Sequence, residues 1–447
     1  MRFPDKLYLA ELDPNERIEN FAEVTRSVTL SQVQQEAARC LSCKSKPCST
    51  NCPIHTKIPE IIRLIKNNSL KEATLLLLKD NPLPAITGRV CPQERYCEGN
   101  CVLAKNSISF GAIERFLGDK LLLESTISPE ELKPKELSSK KISVAIIGSG
   151  PAGLSSAFFL TLNGAEVAVF EALDKVGGVL RYGIPEFRLP KMILDLQISF
   201  LEELGVQFFT SCRIEKEDLE KLVEEFDYII MATGAGLPRL IDIPGINSPR
   251  VITANELLFR VNYMEAYKFP EKLTPVKRPA SELRDKVHAV VVGAGNTAMD
   301  AARVLRRLGY KVIVAYRRSI SESRARYAEI THAMEEGVKF KEYVVPVKVS
   351  STNDPIHPLK ITLAKTKVEG KKVITLEKTE TLYASLMVLA IGSRRNFIEG
   401  TRDWIKDFST KTTQSRIFAA GDIIRGAATV IEAVADGKRC AEQVLER

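Results

Sequence analysis

The chain has 447 residues, enough for about three domains at roughly 150 residues each. Apolar residues make up 45% and charged residues 27%, the balance of a globular chain and not of a disordered or fibrous one. The net charge of +8 is mild, and with no arginine-rich run or aromatic-interleaved basic stripe it argues against a nucleic-acid binder; it leaves room for a basic dock for an acidic protein.

In chain order, the start Met1-Arg2-Phe3-Pro4-Asp5-Lys6 carries charge where a secretory signal needs an apolar core, so a cytoplasmic chain is expected. Residues 1–125 read as mainly helical, with Ile62, Ile65, Leu70 and Leu76 at helical spacing over 59–79. Seven of the nine cysteines fall in this region, on loops containing Pro and Ser. Cys40, Cys43, Cys48 and Cys52 read C-x2-C-x4-C-x3-C-P, and Cys91, Cys97 and Cys101 read C-P-x4-C-x3-C. In a reducing compartment such dense thiolates favour metal over disulfides.

Residues 126–141 are polar with two prolines and suit a linker. The stretch 142–165 then carries no charge and is long enough to cross a membrane. The Gly-Ser-Gly-Pro inside it argues instead for a strand over 142–147, a tight turn and a buried helix over 153–162. Strands are expected at 165–171, 227–233, 286–292, 311–317, 386–391 and 416–420, with helices over 298–308 and from about 429. Repeated β-α-β units mean parallel, doubly wound sheets. The fold class expected is therefore α/β: an N-terminal helical domain (1–125), then two Rossmann-like domains, the second (256–385) inserted between the halves (142–255 and 386–447) of the first.

The turns between these elements carry the chemistry. A strand runs into Gly148-x-Gly150-x-x-Gly153 and a helix. The glycines allow the tight turn, the approach of a pyrophosphate and close helix–strand packing, and the helix N-terminus offers free N–H groups. Glu171, ending the next strand, can accept both hydroxyls of an unphosphorylated ribose, which selects FAD or NAD. Gly177-Gly178 and Gly421-Asp422 favour the flavin. The second cradle, Gly293-x-Gly295-x-x-Ala298, ends its unit in Arg317-Arg318 where the first has Glu171. Guanidinium groups suit a 2′-phosphate, hence NADP(H).

Iron–sulfur clusters use four thiolates each, so seven cysteines leave two clusters one ligand short, and Glu114 is the candidate eighth. Zinc is the structural alternative, with His55 close to Cys52; two Cys-Pro steps and the neighbouring flavin site favour iron–sulfur. Cys212 and Cys440 stand alone, as do His288, His332 and His357. A thioredoxin-reductase-like mechanism would need a redox Cys-x-x-Cys in a nucleotide domain, and neither has one. No acid–base dyad or triad appears, and hydride and electron transfer require none, so no catalytic side chain is assigned.

At these residues the chain resembles the small subunit of NADPH-dependent glutamate synthase and its relatives: the large subunit of electron-bifurcating NADH-dependent ferredoxin:NADP oxidoreductase, the related sulfide dehydrogenase and the N-terminal half of dihydropyrimidine dehydrogenase. AARCLSCKSKPCSTNCP, TGRVCPQERYCEGNC, GAIERF, AIIGSGPAGL, YGIPEFRLPK, ATGAGLP, ANELLFRVN-YMEAYKFPE, VVVGAGNTAMDAAR, HAMEEGV and IFAAGDIIRGA carry the resemblance. It implies two [4Fe–4S] clusters, one on Cys40, Cys43, Cys48 and Cys101, the other on Cys52, Cys91, Cys97 and Glu114. It implies FAD at Gly148, Gly150, Gly153, Glu171 and Asp422, and NADPH at Gly293, Gly295, Asn296, Arg317 and Arg318; Pro151, Ala152, Gly178, Arg188, Gly234, Thr297, Ala298, Gly421 and Thr429 are expected as further cofactor-binding residues. One departure stands out: relatives carry Met-Pro-Ala-Arg where this chain has Ser323-Arg324-Ala325-Arg326, so the loop over the NADPH is expected to differ. The partner implied is a large glutamate synthase subunit or another flavoprotein or ferredoxin-type acceptor, with a homo-oligomer allowed. No nucleic acid and no membrane are expected. Without an N-terminal cysteine or the length for a (β/α)8 synthase domain, the chain is not expected to make glutamate alone.

Overall fold

The computed structural model of the chain describes residues 5–132, 142–268, 279 and 281–447. The first four residues, most of the expected linker (133–141) and the end of the YMEAYKFPE motif lie outside the described residues.

The N-terminal region is helical. The single periodic stretch over 59–79 forms two helices, Ile58–Lys66 and Leu70–Leu78. The break comes at Asn68, whose φ of 59° is left-handed, and Ser69 N–H closes the first helix on Leu64 O at 2.9 Å. Asparagine tolerates this conformation and so serves as a helix stop. Ile61, Ile62, Ile65 and Leu77 still reach one core, shared with Ile113 and Leu117 of the helix Phe110–Glu124. That helix crosses Pro84–Val90 at backbone contact. A Cβ on Gly118 would lie 2.2 Å from Ala85 N, and one on Gly88 2.5 Å from Arg115 N.

Two parallel five-stranded sheets follow. The first has the order Ile417–Ala419, Tyr228–Met231, Ser143–Ile147, Glu166–Phe170, Gln207–Phe209. The charge-free stretch resolves into strand Ser143–Ile147 and helix Pro151–Leu162, buried along nearly its whole length because it lies between this sheet and the last helix, Val430–Leu445. Ser155 Oγ and Ser156 Oγ donate to Val434 O and Gly437 O of that last helix.

The second sheet has the order Val251–Thr253, Leu386–Leu389, His288–Val292, Lys311–Ala315, Lys339–Lys341. Its strands are nested in sequence between Tyr228–Met231 and Ile417–Ala419 of the first, so one sheet is inserted within the other. The expected boundaries at 255/256 and 385/386 shift. Val251–Thr253 and Leu386–Leu389 pair inside the second sheet, because Leu386–Leu389 adds to His288–Val292 and Val251–Thr253 adds to it in turn. The two chain crossings meet where Leu237–Pro238 pairs antiparallel with Ser393–Arg394. An antiparallel sheet absent from the sequence expectations, Val344–Ser351, Leu359–Glu369 and Lys372–Ala384, shares a core with the second parallel sheet.

The domains are locked together by buried charge. Phe187, 1% exposed, lies in the loop between the helices Val179–Tyr182 and Lys191–Leu204. The guanidinium carbons of Arg303 and Arg307 stand 4.6 and 3.8 Å from its ring centroid. Both arginines pair with Glu336, at 2.8 and 2.7 Å, and Arg303 also meets Glu329. Glu336→Ala would leave both guanidiniums buried with a carboxylate missing, a loss of about 3–5 kcal/mol. Thermal unfolding of this variant should show a clearly lowered midpoint; an unchanged midpoint would contradict a load-carrying ion cluster.

Candidate functional site

The seven N-terminal cysteines are all free thiols. Cys40, Cys43, Cys48 and Cys101 are half-buried and line one cavity with Cys97, Pro47, Ile58 and Phe110. Ser42, Lys46, His55 and Ala104, beside these cysteines in sequence, hold positive φ of 52°, 46°, 53° and 51°. Such conformations are costly outside glycine and cluster at binding loops. Burial raises the Cys48 thiol's pKa, and the neighbouring Cys101 and Cys40 add to the rise.

Cys52, Cys91 and Cys97 are buried and form a second neighbourhood with Glu114. Burial raises the Cys91 thiol, with Glu114 and Cys52 adding and Arg326 opposing; burial raises Cys97, with Cys91, Cys52 and Glu114 among its neighbours. Glu114 is 6% exposed, and burial pushes its carboxyl up to about 7. Its Oε1 accepts from Asn81 Nδ2 and Thr87 Oγ1, each at 2.5 Å. Among the described residues no hydrogen bond reaches Oε2. A buried carboxylate fixed by one oxygen and open at the other suits a metal ligand.

The donor set fits a bulky cluster better than zinc. A tetrahedral zinc at about 2.3 Å holds its thiolates within about 4 Å of one another. No three of these cysteine sulfurs lie within 4.8 Å of each other. His55 is exposed; its backbone N–H donates to Cys52 O at 2.9 Å, and among the described residues its imidazole makes no hydrogen bond or ion pair.

The first cradle follows Ser143–Ile147. Gly148 has φ 106°, and a Cβ there would meet Ala232 O at 2.5 Å; one on Gly153 would meet Gly148 O at 2.0 Å. Gly150 caps the helix that starts at Pro151, and the space its Cβ would enter is open. Gly178 and Gly421 close on this turn: their Cβ atoms would lie 2.9 Å from Gly150 Cα and 2.8 Å from Ala152 Cβ. Glu171 is buried at the strand end and accepts from Ser149 N at 3.1 Å, from Ser149 Oγ and from Leu173 N at 2.9 Å. Ser149, which the motif leaves as "x", also takes Gly177 N–H at 2.9 Å and so ties three predicted parts together. Burial raises the Asp422 carboxyl to about 6, and it accepts from Ala428 N. Thr429 caps Val430–Leu445, and its Oγ1 lies 3.4 Å from Tyr96 Oη of the cysteine domain. Gly234 has open space where a side chain would stand. Arg188 sits apart, at the joint between the sheets, its Nη1 on Asp300 at 2.8 Å and its Nε on Glu329 at 3.0 Å.

The second cradle repeats the design. Gly293 (φ 117°) would press a Cβ to 2.2 Å from Ala390 O, and Gly295 opens on empty space before the helix Asn296–Leu308. Ala298 is buried and Thr297 exposed. The two arginines divide. Arg318 is tied to Glu322 at 2.9 Å and Lys371 O at 2.5 Å. Arg317 is exposed, and its guanidinium has no partner among the described residues. The Ser323–Arg326 loop folds over this turn: Ser323 Oγ donates to Ala294 O, and Arg326 N–H to Asn296 Oδ1 at 2.8 Å. Arg324, between these anchors, is exposed and likewise unpartnered among the described residues. Arg326 turns away, toward the cysteine domain.

Two dinucleotide cradles on nested parallel sheets, fronted by a helical thiolate domain, define a pyridine nucleotide- and flavin-dependent iron–sulfur oxidoreductase. Residues 17–126 match the family described as dihydropyrimidine dehydrogenase domain II, 4Fe-4S cluster, and residues 142–437 match pyridine nucleotide-disulphide oxidoreductase. The glutamate synthase [NADPH] small chain of Azospirillum brasilense is 31% identical over 99% of this chain and 94% of its own. The NAD-dependent dihydropyrimidine dehydrogenase subunit PreT of Escherichia coli K12 is 30% identical over 94% and 96%. Mycobacterium tuberculosis FprA in complex with NADPH shares the fold, with TM-score 0.57 at 19% identity over 69% of this chain and 84% of that one. The chain belongs to the pyridine nucleotide-disulphide oxidoreductase family, within its glutamate synthase small-chain group. Despite the family's name, Cys212 and Cys440 make no disulfide, and Cys440 Sγ is spent on Ala419 O. No helix among the described residues is long and apolar enough to cross a membrane.

Two outcomes test the site. Glu114→Ala should lower iron content and change the EPR spectrum of one cluster while the yellow flavin stays bound; an unchanged spectrum and iron content would remove Glu114 from the ligands. Gly295→Val fills the open space before the second helix and should abolish pyridine-nucleotide binding in calorimetry with bound flavin retained; unimpaired binding would displace the nucleotide from this turn.

Proposed function

We propose that this chain is the electron-input subunit of a glutamate synthase: it draws electrons from NADPH and delivers them to a large partner subunit that makes glutamate from glutamine and 2-oxoglutarate. When bound, the nicotinamide and flavin supply hydride and electron-pair chemistry, and the two [4Fe–4S] clusters supply one-electron relay. Cys40, Cys43, Cys48 and Cys101 would hold the outer cluster; Cys52, Cys91, Cys97 and Glu114 would hold the inner one. The observation that carries this reading is the gradient of burial between the two groups. The inner cysteines Cys52 and Cys91 share a core with the first dinucleotide domain, including Leu180 and Ile431. The outer four are half-exposed, beside Leu41 and Val102, which are 51% and 54% exposed, and the exposed Lys44 and Lys105. Such a rim, apolar with basic flanks, suits an acidic acceptor.

In the first cradle, Glu171 would take the adenosine ribose of FAD, the Pro151 helix end its pyrophosphate, and Gly421 and Asp422 its ribityl–phosphate portion. In the second, Asn296 and the helix end behind Gly295 would take the pyrophosphate of NADPH. Arg317 and Arg324 are the cations available for its 2′-phosphate, whereas Arg318 is engaged by Glu322. No side chain is required as a general acid or base.

A second reading, electron input to dihydropyrimidine dehydrogenase, rests on the PreT likeness, whose printed cofactor is NAD. The unpartnered Arg317 favours NADPH. A charged hydrogen bond is worth roughly 1.5–3 kcal/mol, so Arg317→Ala should raise KM for NADPH about ten- to a hundredfold and leave KM for NADH nearly unchanged. Equal effects on both, read in an anaerobic ferricyanide assay, would remove the assignment. Pull-down under anaerobic conditions decides the partner: a large amidotransferase supports the first reading, a pyrimidine-binding flavoprotein the second.

A further inference from the structure

The loop Ser323–Arg326 bridges the pyridine-nucleotide turn and the buried thiolates. At one end, the Arg326 backbone N–H donates to Asn296 Oδ1 at 2.8 Å, on the first residue of the second cradle's helix. At the other, its guanidinium forks: Nη1 to Arg89 O at 2.8 Å and Nη2 to Gln93 Oε1 at 2.9 Å. These two acceptors lie two residues before and two residues after Cys91.

Gln93 is the organising residue of the Cys91–Cys97 turn. It is 5% exposed, and its backbone N–H donates to Cys91 O at 3.0 Å. Its carbonyl accepts from Tyr96 N, Glu98 N and Gly99 N at 3.0, 3.0 and 3.2 Å, on both sides of Cys97. Arg95 Nη2 and Tyr327 N–H add two more bonds across the same seam, to Ala325 O and Glu94 Oε1. A shift of Arg326 therefore acts on the peptide that carries two of the inner ligands.

Asn296 is the point at which a nucleotide can act. Its carboxamide holds the loop, yet it sits beside the open space at Gly295 that a pyrophosphate would enter. A phosphate drawing on Asn296 changes what Arg326 N–H meets, and a guanidinium gripping two acceptors moves as one unit.

We propose that Arg326 is a positioning residue that couples occupancy of the pyridine-nucleotide site to the reduction potential of the cluster held by Cys52, Cys91, Cys97 and Glu114. The inference rests on the cluster and nucleotide assignments above and goes beyond them. Coupling of this kind is reciprocal: if nucleotide binding shifts the potential, reduction of the cluster shifts nucleotide affinity by the same factor.

The probe is adenosine 2′,5′-bisphosphate, a redox-inert piece of NADPH. EPR-monitored potentiometry of the holoprotein with and without saturating probe should show the inner cluster's midpoint moving by about 40 mV, the equivalent of a fivefold affinity change for a one-electron couple. Calorimetry on oxidised and reduced protein should give dissociation constants for the probe that differ by the same factor. Arg326→Lys keeps the charge but not the two-pronged grip, and it should bind the probe with the shift lost. A wild-type cluster whose potential ignores the probe would overturn the proposal, and so would a full shift surviving in Arg326→Lys. Protein without any EPR-active cluster would instead end the underlying cofactor assignment, and the proposal with it.

Discussion

The buried ion cluster around Phe187 is the constraint on which the geometry of this molecule depends. Arg303, Arg307 and Glu336 have fully or almost fully buried side chains, and burying such charges is tolerable only if each finds its partner. The partners come from different segments. Arg303 and Arg307 lie on the second cradle's helix, Glu329 and Glu336 follow its loop, and Phe187 and Arg188 belong to the first dinucleotide domain. Val24 of the N-terminal region donates to Phe187 O at 3.0 Å. Any slip between the domains would strand several charges in a dry interior at once. The joint thus acts as a rigid pivot that sets one cradle against the other, and hydride and electron transfer rely on such alignment.

The cysteine domain is held to this pivot by its own set of polar contacts. Arg17 bridges Glu11 and Glu335, and His332 lies 2.9 Å from Glu11. Arg326 reaches the Cys91 turn, and Tyr96 reaches Thr429. Cys52, Cys91 and Cys97 are therefore buried near these contacts between domains, whereas Cys40, Cys43, Cys48 and Cys101 are half-exposed. Burial has a further consequence at Glu114. Its carboxyl titrates near 7 against an ordinary value of 4.5, so in metal-free protein the folded state binds a proton that the unfolded state gives up. Stability of the metal-free form falls as pH rises from about 4.5 to about 7. A metal at Oε2 would relieve that cost by compensating the charge.

Much of this was legible in the sequence, for reasons that can be named. The uncharged 142–165 stretch betrayed a strand, turn and helix because glycines and a proline interrupt it. Both cradles announced themselves through glycines whose missing Cβ atoms would collide with backbone. The two cysteine runs gave the thiolate module through spacing alone. Other features depend on distant partners and left no local signal. Asn68 divides an otherwise continuous helical period. Leu386–Leu389 joins the second sheet because of what it pairs with, not what it is. The direction taken by Arg326, and the commitment of Arg188 and Arg318 to carboxylates, are facts of packing that a string of arginines does not reveal. The antiparallel strands over 344–384 do alternate in the sequence, and their pattern could have been found there.

In the function proposed above, electrons enter at the later cradle, pass the earlier one and leave through iron at the amino-terminal thiolates. The most direct measurement is anaerobic reduction of the purified chain with NADPH, followed by optical and EPR spectroscopy on the same sample. The account predicts bleaching of a bound yellow flavin together with signals from two distinct iron–sulfur clusters. Colourless protein, or a flavin that bleaches while no iron signal develops under NADPH or dithionite, would contradict it.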